Sequence, residues 1–473
     1  MGLVAACAAA STLATPAPRP VAATEARPNV VIIYLDDVNP GSSWLWSNPS
    51  RTPELARFAR HGVRFATAVT STPLCGPSRA TLLTGQYGHH HHVTDNRASK
   101  LTPRGTLGSR LKRTGYHTIM VGKYINALDA AAPSRSGVRR YAQGWKRFDV
   151  IWKREIEGQG QFYDYSLWTR GGVRSKGHKP WDHSTHVVGR LVAQHIRQAP
   201  ADKPLFALAS FAAGHVPHTP LAWHQGSGVC DGIRPYRLPS YDERDVSDKP
   251  RYIRSLPRLA RPAVRLRSQC EEMLGVDEAV ARIRRALAAT GRLHDTLLLF
   301  TADNGYLNGD HRAPLPGGKK WPHAIDVPLY ALWPARLGGE PRVIDEPVSN
   351  VDLPVTICAL AGCELLKADG RDITPLLVGE ADHMDRRFLY TEMLRAYEGM
   401  PAWYGLVSTS AYTDDAIWHY TEYANGGREL YDLRRDPHRL RNLARAPGQT
   451  KRIRQLHRML HRDVVRPHEV ELP

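Results

Sequence analysis

The chain has 473 residues and carries 64 Lys+Arg against 46 Asp+Glu, a formal net charge of +18. Hydrophobic residues at 42% and charged residues at 23% are ordinary for a globular protein; they exclude disordered, collagen-like and coiled-coil chains, and no run of about 18 apolar residues marks a membrane-spanning helix. The basic surplus favours a polyanionic partner (nucleic acid, anionic lipid, or a sulfated or phosphorylated substrate) without choosing among them. The length fits two or three domains, or one large α/β domain with a smaller companion.

Residues 1–28, rich in Ala, Thr and Pro, read as the remnant of an export signal and an unfolded linker, which implies a secreted or cell-envelope protein. Within them Val4-Ala5-Ala6-Cys7 resembles a lipoprotein cleavage box that would make Cys7 a lipid anchor; the alternative is a small residue in a tail. Asn29 to Leu35 (NVVIIYL) is the apolar, β-branched run of a strand buried on both faces of a parallel sheet, and it stops at Asp36-Asp37. Residues 53–62 read as a helix with Pro at its start and Gly after its end. Residues 203–211 (KPLFALASF) give a second buried strand, ending near Gly214-His215-Val216-Pro217-His218. The basic, Pro-containing stretch 225–268 reads as a long surface excursion. A helical period over 271–290 stops at Gly291 and feeds the strand Thr296 to Thr301, which ends in Ala302-Asp303-Asn304-Gly305; a further strand is expected over 327–333.

This alternation predicts an α/β fold with a mostly parallel central sheet flanked by helices. Beyond about residue 365, shorter aromatic-rich segments suit a smaller antiparallel sheet, and 451–462 closes the chain as a basic amphipathic helix. The expected partition is a leader at 1–28, a catalytic domain at 29–364 and a smaller α+β subdomain at 365–473. Ligands of open α/β sheets sit beyond the carboxyl ends of the strands. Asp36-Asp37, His215/His218 and Asp303-Asn304 therefore converge on one rim. Of six cysteines, Cys7 lies in the leader and Cys75 is set apart by its motif. The even remainder in an exported chain suggests two disulfides, with Cys230–Cys270 and Cys358–Cys363 the closest pairings in sequence; buried free thiols are the alternative.

The sharpest motif is Cys75-Gly76-Pro77-Ser78-Arg79 within TPLCGPSRATLLTG; four such fixed positions recur by chance about once in 10⁵ sites. C-x-P-S-R followed by A-T-L-L-T-G resembles the signature of the type I sulfatases. The resemblance implies an alkaline phosphatase-like fold and conversion of Cys75, by a formylglycine-generating enzyme, to formylglycine (3-oxoalanine). A sulfate ester is an anion with a poor leaving group, so its cleavage needs a strong nucleophile and charge neutralisation. In the family a formylglycine hydrate attacks sulfur with one hydroxyl, and its second hydroxyl later expels sulfate.

Asp36, Asp37, Asp303 and Asn304 form an all-oxygen set suited to Ca²⁺ or Mg²⁺. In the family the matching residues bind Ca²⁺ together with the residue at the Cys75 position. Arg79 matches the arginine that orients the nucleophile, and Lys123, in Val121-Gly122-Lys123-Tyr124, the lysine that contacts sulfate. Families with G-K-W-H have a His where this chain has Ile125; Asn126 and Trp145 instead resemble the N-acetylglucosamine-6-sulfatase branch. His218, in Pro217-His218-Thr219-Pro220, matches the histidine that meets the sulfate or leaving oxygen, with His215 a structural neighbour. Lys319 is the best match for a downstream G-K lysine, yet the stretch is two or three residues short and leaves Lys319 and Lys320 unseparated. His311 fits a family G-E-H-R, and His89–His92 reads as a loop beside the rim. Glu429-Leu430-Tyr431-Asp432-Leu433, with Asp436-Pro437 and Asn442-Leu443, extends the likeness from Arg27 to about Leu443.

The expected function is hydrolysis of sulfate esters, on a sulfated small molecule or polysaccharide, with no nucleic-acid partner and no membrane span. The alternatives are a phosphonate monoester or phosphodiester hydrolase of the same superfamily and, from another class, a non-catalytic polyanion-binding protein.

Overall fold

The structure, a computed structural model, describes residues 27–132, 134–154, 161–233, 238–259, 266–314, 317–397, 399–413 and 415–465. Residues 1–26 of the expected leader, Cys7 included, lie outside the described residues. The strands in chain order are β1 (Asn29–Leu35), β2 (Val63–Phe65), β3 (Ala68–Val69), β4 (His117–Gly122), β5 (Arg147–Arg154), β6 (Tyr165–Thr169), β7 (Gly172–Lys176) and β8 (Leu205–Ser210). They continue with β9 (Thr296–Ala302), β10 (Leu329–Leu332), β11 (Arg342–Ile344), β12 (Val348–Ser349), β13 (Phe388–Met393), β14 (Trp403–Ser408), β15 (Trp418–Tyr423) and β16 (Arg428–Asp432).

Ten of these form one sheet in the order β11-β2-β10-β9-β1-β8-β4-β5-β6-β7. β1 lies between β8 and β9 and runs parallel to both, with Val30 opposite Phe206 on one side and Leu297 on the other. Every residue of β1, β8 and β9 is buried, which is why these strands read as unbroken apolar runs rather than alternating ones. β4 and β5 extend the parallel part. The strand expected over 327–333 is β10, but it runs antiparallel to β9, and β6 and β7 are antiparallel on the other side. The sheet is thus parallel at its centre and mixed towards its edges.

Helix α1 (Pro53–His61) ends at Gly62 as its sequence suggests. The helix read over 271–290 is longer, Leu266–Ala289, so the surface excursion ends sooner than expected. It packs on the helix Ser184–Arg197 so closely that a methyl group at Gly189 would lie 2.5 Å from the Ala279 side chain. Cys230–Cys270 and Cys358–Cys363 are both disulfides, with Cα–Cα distances of 6.0 and 4.6 Å, rather than buried free thiols.

The order β13-β14-β15-β16 makes a separate antiparallel sheet. The helix Thr450–Leu460 lies on it through Ile453, Leu456 and Leu460, which pack with Tyr404, Leu406, Trp418 and Tyr420. The fold is alkaline phosphatase-like, with a smaller C-terminal sheet beside the central one. The two meet through a buried apolar cluster in which Leu389, Met393, Trp403 and Val407 pack with Leu74, Leu307, Trp321 and Ile325; polar ties are added where Arg439 forks onto Asp326 at 2.6 and 2.8 Å and Trp403 Nε1 donates to the Lys320 carbonyl.

Candidate active site

Four neighbouring parallel strands, β9, β1, β8 and β4, end on the same rim, and each delivers a polar residue there: Asp303-Asn304, Asp36-Asp37, Ser210 and Lys123. Backbone bonds lock the rim, with Asp36 N–H donating to the Ala213 carbonyl and Asp303 N–H to that of Leu35. The turn after β8 passes so near β1 that Gly214, at φ +100°, has no room for a side chain: a Cβ would lie 2.1 Å from the Asp36 carbonyl oxygen. Helix α2 (Cys75–Thr84) starts at this rim with Cys75 as its first residue and is buried through Leu83.

Cys75 Sγ lies 3.5 Å from Asp36 Oδ1, 3.9 Å from Asp37 Oδ1 and 3.4 Å from Lys319 Nζ. Lys319 also donates to Asp37 Oδ2 at 2.7 Å, and Lys123 Nζ donates to Asp36. Arg79, one helical turn after Cys75, is fully engaged along one edge. Its Nε donates to Asp303 Oδ2 at 2.8 Å and its Nη1 to the Lys123 carbonyl and Ser210 Oγ, both at 2.8 Å, while the guanidinium lies over the Tyr34 ring.

These contacts separate the three carboxyl groups. Burial would raise Asp36, but Lys123 and Arg79 hold it well below the usual range. Asp37 is likewise held down against burial, by Lys319. Asp303 is pushed up to about 7 by burial and by the charge of Asp36. Three carboxyls buried this close together are a donor set that a divalent cation would satisfy. Asn304 fits that role too: its Nδ2 donates to Asp37 Oδ1 at 2.7 Å and to the Gly305 carbonyl, leaving a buried Oδ1 with no hydrogen-bond partner among the described residues. Asp36, Asp37, Cys75 and Asp303 each place a donor atom within 4.8 Å of the others.

Burial pushes the Cys75 thiol up to about 12 despite Lys123 and Lys319. Unconverted Cys75 is therefore no thiolate at neutral pH. Iodoacetamide at pH 8 should modify it in the folded chain on the order of 10³-fold more slowly than in the urea-unfolded chain, measured by the mass of the labelled peptide.

The structure separates the two lysines: Lys319 enters the cluster, whereas Lys320, at φ +77°, lies over the Tyr397 ring. His215 also enters it. Its Nδ1 is 2.5 Å from the Val216 carbonyl and must carry the proton, so Nε2 accepts from Lys319 at 3.2 Å. Burial keeps the ring neutral by lowering its pKa. His218 stands behind this cluster, with Nδ1 3.3 Å from Glu272 and Nε2 2.9 Å from Gln269 Nε2. His89–His92 is not a loop but a helical turn over Gly88–His91, held by Glu392 and Asp369. His311 is paired with Glu243 at 2.7 Å, and Trp145 is core. Sequence reasoning did not find Tyr34, Ser210 or Gln161, whose Nε2 is 3.4 Å from Asp36. Ser210 is the last residue of a buried strand, a position that could have flagged it; Gln161 stands in no motif.

A cysteine at a helix start, ringed by buried carboxyls and lysines at the carboxyl rim of an α/β sheet, is an arrangement suited to a hydrolase of oxoanion esters. The chain belongs to the Sulfatase family: the model of that description matches residues 28–363, and the protein is a sulfuric ester hydrolase. A second model, described as N-sulphoglucosamine sulphohydrolase, C-terminal, matches residues 320–466. Human N-acetylglucosamine-6-sulfatase is 27% identical over 398 residues, covering 80% of this chain and 69% of its own length. A solved structure described as in complex with its substrate D-glucosamine-2-N,6-O-disulfate superposes with a TM-score of 0.73 at 20% identity, covering 92% of this chain and 97% of that one. A phosphonate monoester hydrolase from Silicibacter pomeroyi superposes with a TM-score of 0.67 at 22% identity, covering 92% and 94%.

Proposed function

We propose that the protein hydrolyses sulfate esters of sugars, of the sulfated glucosamine kind, using formylglycine made from Cys75 and a Ca²⁺ ion held by Asp36, Asp37, Asp303 and Asn304. The observation that carries this reading is the clustering of Asp36, Asp37 and Asp303 with Cys75, with Lys319 on the sulfur, Lys123 on Asp36 and Asn304 on Asp37. Formylglycine would supply, as its hydrate, one hydroxyl to attack sulfur and a second to release sulfate. Ca²⁺ would supply Lewis-acid polarisation of a sulfate oxygen and a lower pKa for the attacking hydroxyl.

The chain's own groups divide the remaining work. Lys123 and Lys319 offset the charge of the sulfate ester, and Arg79 fixes Asp303 and the end of β4 so that the rim does not relax. Lys319, with three donors shared among residue 75, Asp37 and His215, is the group positioned to give a proton to the leaving oxygen and regain one through His215. His218, oriented by Glu272, would bind the ester from the far side. The sugar preference rests on the human relative and on the ligand named for the solved neighbour.

The two disulfides favour an oxidising compartment. Among the described residues no helix is long and apolar enough to cross a membrane. With the Ala-rich leader, the disulfides support a secreted or envelope location.

The test compares kcat/KM for N-acetylglucosamine 6-sulfate, p-nitrophenyl sulfate and p-nitrophenyl phenylphosphonate. The sulfated sugar should be the best substrate and the phosphonate the poorest; a phosphonate preference would replace this reading with the phosphonate hydrolase one.

Because Asp303 holds a proton below about pH 7, cation binding must displace it. Calcium affinity should fall up to about tenfold per pH unit below pH 7 and level off above it, as read by calorimetric titration at pH 6 and pH 8.

A further inference from the structure

The C-terminal sheet and the helix laid on it carry a second cluster that this reaction does not use. Glu422 lies on β15, His457 in the helix Thr450–Leu460, and His461 where that helix passes into a wider turn over His461–Val465. Four-residue spacing sets both imidazoles on one helix face, with ring centroids 4.1 Å apart. His457 Nδ1 is 2.6 Å from Glu422 Oε1, and His461 Nε2 is 2.9 Å from Glu422 Oε2. One donor atom from each residue lies within 4.8 Å of the other two. The Glu422 side chain is 9% exposed, whereas those of His457 and His461 are 37% and 24% exposed, so the cluster has a fixed floor and an open side.

We propose that Glu422, His457 and His461 form a zinc site that fastens the C-terminal helix to the antiparallel sheet. Two imidazoles and one carboxylate are the ligand set of Zn²⁺ rather than of Ca²⁺ or Mg²⁺, which take oxygen. Three protein ligands leave a fourth tetrahedral position, and the exposed side lets water fill it. The second layer is present: the Tyr420 hydroxyl donates to Glu422 Oε1 and holds the carboxylate under the two rings. As the ion enters, each ring presents a lone pair at the nitrogen now facing Glu422 and carries its proton on the other nitrogen. Arg428, 3.4 Å from the same carboxylate and 46% exposed, swings out to solvent.

The test uses the full chain, stripped with chelator and then kept in saturating Ca²⁺ so that the carboxyls around Cys75 are occupied. Equilibrium dialysis against Zn²⁺ should give one bound equivalent. The Zn²⁺ dissociation constant should rise on the order of 100-fold in His457→Ala and in His461→Ala, and at least about tenfold in Glu422→Gln, which keeps the shape and hydrogen bonding of the native side chain. Cys75→Ala should keep its equivalent. Co²⁺ in place of Zn²⁺ should give the intense visible bands of a four-coordinate ion, absent from both histidine variants. Zinc uptake unchanged in all three cluster variants, or lost in Cys75→Ala, would overturn the assignment, as would no uptake by the native chain.

Discussion

Replacing Cys75 by Ala is expected to lower kcat for aryl sulfate hydrolysis by about 10⁴-fold or more, the scale of losing a nucleophile whose partners remain in place. Cys75 is fully buried at the head of α2 and touches Asp36, Asp37 and Lys319. None of those partners depends on sulfur: Lys319 keeps Asp37 and His215, and Asp36 keeps Lys123. The variant should therefore fold and bind Ca²⁺ while failing to turn over. Steady-state rates with p-nitrophenyl sulfate, alongside calorimetric Ca²⁺ binding, check both halves. A variant that kept a tenth of the native rate would place the chemistry elsewhere.

Arg79→Ala is expected to be the most damaging single change to stability, by about 3–5 kcal/mol, because it leaves buried carboxylates without their counter-charge. Arg79 is 2% exposed, and its guanidinium ties Asp303, Lys123 and Ser210 together. Three strand ends of the rim are thereby joined through one side chain. Arg79→Lys would keep the charge but lose the planar fork, and should recover only part of the stability. Urea denaturation of the two variants in excess chelator reads this directly; a midpoint for Arg79→Ala within a few tenths molar of native would contradict it.

The central strands were legible because burial on both faces leaves nothing but apolar residues between two polar stops, as in NVVIIYL before Asp36-Asp37. Strand direction was not. An apolar run such as that of β10 reads the same parallel or antiparallel, and only the ladder with β9 decides it. β4, HTIMVG, opens on two polar residues and ends in Gly, so only Ile119, Met120 and Val121 form an apolar run, too few to read as a strand, although the motif marks the lysine after it. Motif matching located the chemistry, but it cannot choose between adjacent residues of one type. Gly318-Lys319-Lys320 became unambiguous only once the left-handed turn at Lys320 sent its side chain to Tyr397. The histidines show the same limit, since His215 and His218 share one turn and only the fold brings His215 onto Lys319 and His218 onto Glu272.

The most direct measurement is the mass of the tryptic peptide Phe65–Arg79, which contains residue 75, from protein made in its own host. A mass matching an aldehyde in place of the thiol is the expected result and would establish the nucleophile on which the proposed chemistry depends. An intact thiol in every copy, in protein that still hydrolyses sulfate esters at full rate, would contradict it.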